Sequence, residues 1–152
     1  MSMELWKTAK VIHNFLENPE NEESLNFLVC DAFDGGIGYW AGLDNTTAEY
    51  ARAKHELVLL GRKAICMEDI ITQMLLNGDM VILYDIEDEN EIYKLNLGKL
   101  ANGVAMFLEA DADNEGIFSN LREDLETLFE ELDSSDADCI VQYALFNDII
   151  FG

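Results

Sequence analysis

"MEDIITQMLLNGDMVILYDIEDENEIYKLN", residues 67–96, changes its hydrophobic period halfway along. The first part, "MEDIITQMLLNG", carries apolar residues at helical spacing and predicts a helix closed by Gly78, a residue that takes a left-handed cap without penalty. In "MVILYDIEDENEIYKLN" two apolar runs bracket an acidic tip at Glu87–Asn90, which predicts a β-hairpin at about 80–95. Asn96 follows as the N-cap of a helix across roughly 97–109. A hairpin set between helices makes this an α+β chain with an antiparallel sheet.

Towards the N-terminus, Leu5, Ala9, Ile12 and Leu16 recur at helical spacing and predict a helix over 3–17. "ENPENEES" breaks it, with Pro19 near the start of the next helix, about 22–33, which buries Leu25, Leu28, Val29 and Ala32. The glycine-rich stretch "CDAFDGGIGYWAGLD", residues 30–44, then raises the question of a phosphate loop. Such a loop follows a strand and opens a helix, so that backbone N–H groups meet the anion. Here the order is helix, glycines, strand. Gly35 and Gly36 are expected as the helix stop, and 37–43 as a strand with Tyr39 and Trp40 on opposite faces.

"TTAEYARAKHELVLLGRK" within 45–63 reads either as a helix or as a turn followed by a strand at 56–60. It holds the basic cluster Arg52, Lys54, Arg62 and Lys63. After "DADNEG" a helix is expected near 118–132, with Leu121, Leu125, Leu128 and Leu132 on one face. Ser134 or Ser135 caps a last helix over roughly 136–147, and "IIFG" closes the chain as an apolar tail. The expectation is one acidic globular domain over 1–152: α+β, a small antiparallel sheet packed with five or six helices.

Charge is the strongest compositional signal: 31 acids stand against nine bases, for a net charge of −22. Residues 1–63 account for −4 and residues 64–152 for −18; the stretch 109–138 alone has twelve acids and one base, Arg122. A compact chain of this length is about 38 Å across. Spread along that length, 22 net charges give roughly one per 1.7 Å, the linear charge density of duplex DNA. Such a charge argues against nucleic acid, nucleotides or anionic membrane as direct ligands and leaves basic proteins, divalent cations or high salt as what it answers to. No apolar run approaches the ~18 residues of a membrane span, and the N-terminus lacks the apolar core of a signal peptide. Cys30, Cys66 and Cys139 are widely spaced and odd in number, which fits reduced, mostly buried thiols in a cytoplasm.

Chemistry-bearing patterns are sparse. With Asp111 as position one of a calcium loop, Asp113, Glu115 and Gly116 fall at positions three, five and six. Position twelve, which must supply a bidentate glutamate, is Arg122, with Glu123 one residue late. A solvated acidic turn is the expectation, with no metal or cofactor. His13 and His55 belong to no metal-ligand pair, and no nucleophile elbow, C-x-x-C or kinase signature occurs. The chain reads as a non-enzyme. The acids that crowd exposed positions are the candidate partner-binding residues. They are Asp85, Glu87, Asp88, Glu89 and Glu91 at the hairpin; Asp111, Asp113 and Glu115 in the following turn; Glu123, Asp124, Glu126, Glu130 and Glu131 on the acidic helix; and Asp133 and Asp136 at the last cap. Glu123, Glu126 and Glu130, three and four apart, form a stripe on that helix.

Two stretches, "DAFDGGIGYWAGLDN" and "SSDADCIVQYALFNDIIFG", together resemble a group of small acidic proteins encoded by phages and prophages of gut-type bacteria. A similar G-G-I-x-Y-W segment and a closing D-A-D-x-x-x-Q-x-A-L-F segment bracket an acidic middle there. Gly35, Gly36, Trp40, Gln142 and Phe146 are the positions that carry the resemblance. It implies a genomic context, the cytoplasm of a bacterial host, and no catalytic residue set. Joined to the charge, that context makes an inhibitor of a host DNA- or RNA-binding defence protein the leading expectation, with carboxylates standing in for phosphates. The alternative is a phage accessory or assembly protein that binds its partner through an apolar patch, with Tyr39, Trp40 and the "IIFG" tail as contacts if exposed.

Overall fold

Ser2 accepts a hydrogen bond from the Leu5 N–H (3.1 Å) and opens α1, Met3–Glu17, whose inner stripe is Ala9, Ile12 and Leu16. The structure, a computed structural model, describes residues 2–152. Pro19 starts a single 3-10 turn, Pro19–Asn21, that leads into α2, Glu22–Asp31. Both helices stand where their apolar spacing places them.

The glycine stretch divides its labour. The chain leaves α2 through a widened turn, Ala32–Gly36, in which Gly35 takes φ +117°, a region L side chains avoid. Gly36 does not share that role. A Cβ there would lie 2.6 Å from the Asp31 carbonyl oxygen and 2.9 Å from that of Ser134, so this glycine permits a close backbone approach. Residues 37–40 are not strand: the Trp40 and Ala41 N–H groups both donate to the Ile37 carbonyl (3.0 and 2.9 Å), which closes a turn. The strand β1 is only Ala41–Leu43.

Residues 45–63 resolve as helix. The Thr47 hydroxyl accepts from the Tyr50 N–H (3.2 Å) and starts α3, Ala48–Leu59, which buries only Ala53 and Leu57. The helix α4, Met67–Leu76, ends before Gly78 at φ +81°. Then β2, Val81–Asp85, and β3, Asp88–Leu95, form the expected hairpin. Its turn is Ile86–Glu87, so Asp88, Glu89 and Asn90 belong to β3 and not to a tip. The sheet is antiparallel in the order β1-β2-β3, with Leu43 opposite Leu83, Leu83 opposite Tyr93 and a bulge at Tyr84/Asp85. Val81, Leu83 and Leu95 are buried, while Ile92 and Lys94 on the alternate positions face solvent.

α5, Leu97–Asp113, capped by Asn96 as expected, runs one turn beyond its predicted end. It is the central helix, with α1 and α7 packed on it, and its buried set from Leu97 to Leu108 covers more than one face. Gly103 sits where the Ile140 carbonyl of α7 meets α5, so any side chain there would collide. The helix expected over 118–132 is broken into a 3-10 turn, Phe118–Leu121, and α6, Leu125–Glu131. The cause is Asp124. Its carboxylate accepts from the Thr127 N–H (3.2 Å) and hydroxyl (2.8 Å), and this local cap starts a new helix instead of continuing the old one. α7, Ser134–Phe146, is capped by Asp133 and not by a serine: Asp133 and Asp136 each accept the other's N–H, at 2.9 and 3.0 Å. Asn147 at φ +60° ends it.

Among the described residues, seven α-helices and the three-stranded sheet surround one core, from Ile12 and Leu25 through Met74 and Leu83 to Phe129 and Ile140. The α+β architecture is as expected. Among the described residues no helix is long and apolar enough to cross a membrane.

Candidate functional site

The fifteen candidate acids fall into two groups. At the hairpin, Asp85 is partly spent on structure: it accepts from the Glu87 N–H (2.8 Å) and the Tyr93 hydroxyl (3.2 Å). Burial, followed by that carboxylate, pushes the Tyr93 phenol up to about 12. Asp88 accepts from the Asn90 N–H at 3.1 Å. Glu87, Glu89 and Glu91 are exposed.

The second group lies where α2 and α5 end and α7 begins. The Asp111 carboxylate folds over Gly116 and accepts from the Ser119 N–H (3.0 Å). Asp111 and Asp113 are still in α5, so the stretch does not take the shape of a calcium loop between helices. Burial raises the Asp136 carboxyl above its ordinary range, and the charges of Asp133 and Asp111 push the same way. Asp31, at the end of α2, is raised by burial and by Asp133. Asp133 thus lies near both Asp31 and Asp136, and Asp111 near Asp136. Among the described residues no three acidic, histidine or cysteine side chains are placed to hold a metal ion. Asp113, Glu115, Glu123, Asp124, Glu126, Glu130 and Glu131, also from residues 109–138, are exposed. Glu123 precedes α6 and so stands apart from the helical stripe expected of it; Glu126 and Glu130 remain one turn apart on α6.

Few cations answer these acids. Among the described residues there are three ion pairs: Arg52–Asp79 (2.7 Å), Arg62–Asp69 (3.3 Å) and His13–Glu17 (3.8 Å). None of the fifteen candidates is in an ion pair. Twelve of them are exposed and three, Asp85, Asp111 and Asp136, are half-buried. Six serve turns or caps with one oxygen or both; among the described residues the carboxylates of the other nine have no hydrogen-bond or ion-pair partner. Exposed carboxylates of this kind accept charge-assisted hydrogen bonds from lysine and arginine. Arg122, the lone base of the stretch, has a buried Nε–H without a hydrogen-bond partner among the described residues.

The two sequence segments at either end of the chain meet in the structure and build a clamp, which residue patterns alone did not reveal. Asp138 on α7 accepts from the Trp40 indole N–H at Oδ1 (2.7 Å) and from the Tyr39 hydroxyl at Oδ2 (2.6 Å). Gln142, fully buried one turn later, donates to Asp138 (3.0 Å) and to the Phe151 carbonyl (3.2 Å). Its Oε1 accepts the N–H groups of Ile150 and Phe151, both at 2.8 Å. The Phe151 ring stacks on Trp40, with centroids 4.7 Å apart, and Phe146 closes the aromatic cluster. The "IIFG" tail is therefore tied down, and Trp40 is core, not contact surface; Tyr39 and Ile150 stay exposed. Cys30 and Cys139 are half-buried as expected of structural thiols, whereas Cys66 is exposed at the N-cap of α4. No family model, curated protein or solved structure matches the chain.

Proposed function

We propose that this protein is a phage-encoded acidic inhibitor that occupies the basic groove of a host DNA- or RNA-binding defence protein, acting as a DNA mimic and without turnover. The observation that carries the reading is the unpaired acidic surface: fifteen carboxylates from four parts of the chain, twelve exposed and, among the described residues, none in an ion pair. Charge left unneutralised within the molecule remains free to neutralise a partner. On this reading the acids of residues 111–136 carry the main contact, because they are the densest in the chain and nearly all are exposed. The resemblance of the two end segments to phage and prophage proteins supports a partner in the cytoplasm of a bacterial host. Neither free nucleic acid nor an anionic membrane suits a surface of this sign, and no cofactor is required for inhibition by occupancy.

The test is affinity capture from a lysate of the natural host on the immobilised chain, followed by elution with a short DNA duplex. The reading predicts that the captured proteins are nucleic-acid-binding and that the duplex displaces them. Proteins that resist the duplex and elute only when apolar contacts are weakened would support an accessory or assembly role instead.

A further inference from the structure

The end of α3 breaks a rule that surfaces of monomers keep. Val58, Leu59 and Leu60 are consecutive and 52%, 72% and 73% exposed. Three successive helical positions cannot all face a core, but a run of three aliphatics left in water points to a contact. The run sits beside the chain's basic cluster. Lys54 and Lys63 are exposed and in no ion pair among the described residues, and Arg62 is only partly occupied by Asp69. On a molecule of net charge −22 this is an apolar knob with three cations, Lys54, Arg62 and Lys63, within six residues of it and one acid, Glu56, beside it.

A complement lies on the open face of the sheet. Tyr84 and Ile92 on that face, with the edge of core-facing Leu43, line a hollow of about 350 Å³, with Asp44 and Glu89 also in its wall. Gly42 makes the floor: the Tyr84 ring lies directly over it, in space a Cβ would fill. We propose that the hollow receives the Leu59–Leu60 knob of a second copy of this chain, with Asp44 and Glu89 meeting its lysines and Arg62.

Charge selects the geometry. A two-fold contact of α3 against α3 would set like cations face to face, whereas knob into hollow joins opposite charges. Knob into hollow closes as a two-fold dimer where both halves engage reciprocally, and otherwise propagates head-to-tail into open chains or a ring. It leaves the acids around α6 uncovered, so it neither needs nor contradicts the inhibitor reading. The salt dependence separates the two. At 0.15 M salt the Debye length is about 8 Å, so the remote charges of two −22 bodies are screened while those at the contact are not. Near 0.01 M it is about 30 Å and the bodies repel as wholes. Self-association weakens at low salt; binding to a basic target strengthens.

Sedimentation velocity at 0.15 M salt, from about 10 µM to about 1 mM, tests the contact in the range of weak affinities. The parent should rise from the 17.2 kDa monomer to dimer mass or beyond. Leu59→Asp with Leu60→Asp, and separately Ile92→Arg, should each weaken association by about tenfold or more. All three positions are exposed, so the fold should persist, as circular dichroism would report; if one variant fails to fold, Lys54→Glu with Lys63→Glu probes the same knob. The decisive result is the mixture: each variant retains one intact half, so together they form a 1:1 dimer and nothing larger. A parent that stays monomeric at 1 mM, variants that associate like the parent, or a mixture that remains monomeric would each overturn the proposal. So would a monomeric parent that pellets with phosphatidylglycerol–phosphatidylcholine vesicles through Leu59 and Leu60.

Discussion

Asp138 ties the two ends of the chain together, because one carboxylate accepts from Tyr39 and Trp40, about a hundred residues away, and from Gln142 on its own helix. Removing it in Asp138→Ala orphans the buried Trp40 indole N–H and loosens Gln142, which in turn holds the tail. The expected cost is roughly 3 kcal/mol, one lost charge-assisted bond plus an unsatisfied buried donor, read as a lower midpoint in urea. The same residue governs Tyr39. The hydrogen bond to Asp138, then burial, pushes that phenol up to about 12. A phenol raised above its unfolded value of about 10 stabilises the fold below that pH, and the contribution disappears as pH rises through the folded value. In Asp138→Ala one more tyrosine should therefore ionise by pH about 11, and the loss of stability between pH about 10 and about 12 should flatten. Absorbance titration of the phenolate checks the first, and denaturant midpoints across that range check the second.

Helix α5 offers a paired test of packing at the scale of an element. Gly103→Ala puts a methyl group against the Ile140 carbonyl, where α5 and α7 touch most closely, and should cost about 1–3 kcal/mol or more. Gly98→Ala, in the first turn of the same helix, meets nothing nearer than the Asn96 side chain at 3.6 Å and should stabilise by about 0.5 kcal/mol. Thermal midpoints moving in opposite directions would confirm that close approach, not glycine content, decides. The same distinction governs what could be read from the amino-acid sequence. α1, α4 and the hairpin were legible because a burial period persists over several turns or a whole strand. α3 was not, since its exposed Val58–Leu60 run imitates a strand. Nor was the break before α6, where the Asp124–Thr127 cap outweighs a continuing leucine pattern. The acids of the candidate surface were legible by number, but not the six that caps and turns recruit, nor the clamp that joins residues 39–40 to 138–151. The caps and turns are decided by backbone geometry two to eight residues away, whereas the clamp depends on contacts about a hundred residues apart, for which no local pattern exists.

For the whole molecule, self-repulsion among 31 acids sets the response to solution conditions. Burial raises the Asp31 and Asp136 carboxyls, so the native state binds protons more tightly than the unfolded chain. That contribution is fully present below the unfolded value of about 3.9 and is lost as pH rises through the higher folded values. The melting temperature should therefore be higher at pH about 5 than at pH 7, and higher in about 0.3 M than in about 0.01 M salt. Replacing Glu123, Glu126, Glu130 and Glu131 by Gln relieves the same repulsion while leaving Leu128 and Phe129 in the core, so the variant should fold at least as well as the parent. Its affinity for a captured nucleic-acid-binding partner is the most direct test of the inhibitor reading. Measured from about 50 to about 300 mM salt, the parent should weaken steeply and be displaced by duplex DNA, and the fourfold variant should bind at least tenfold more weakly at the low end, with a shallower salt slope. A variant that binds as tightly as its parent across that range would contradict the mimic.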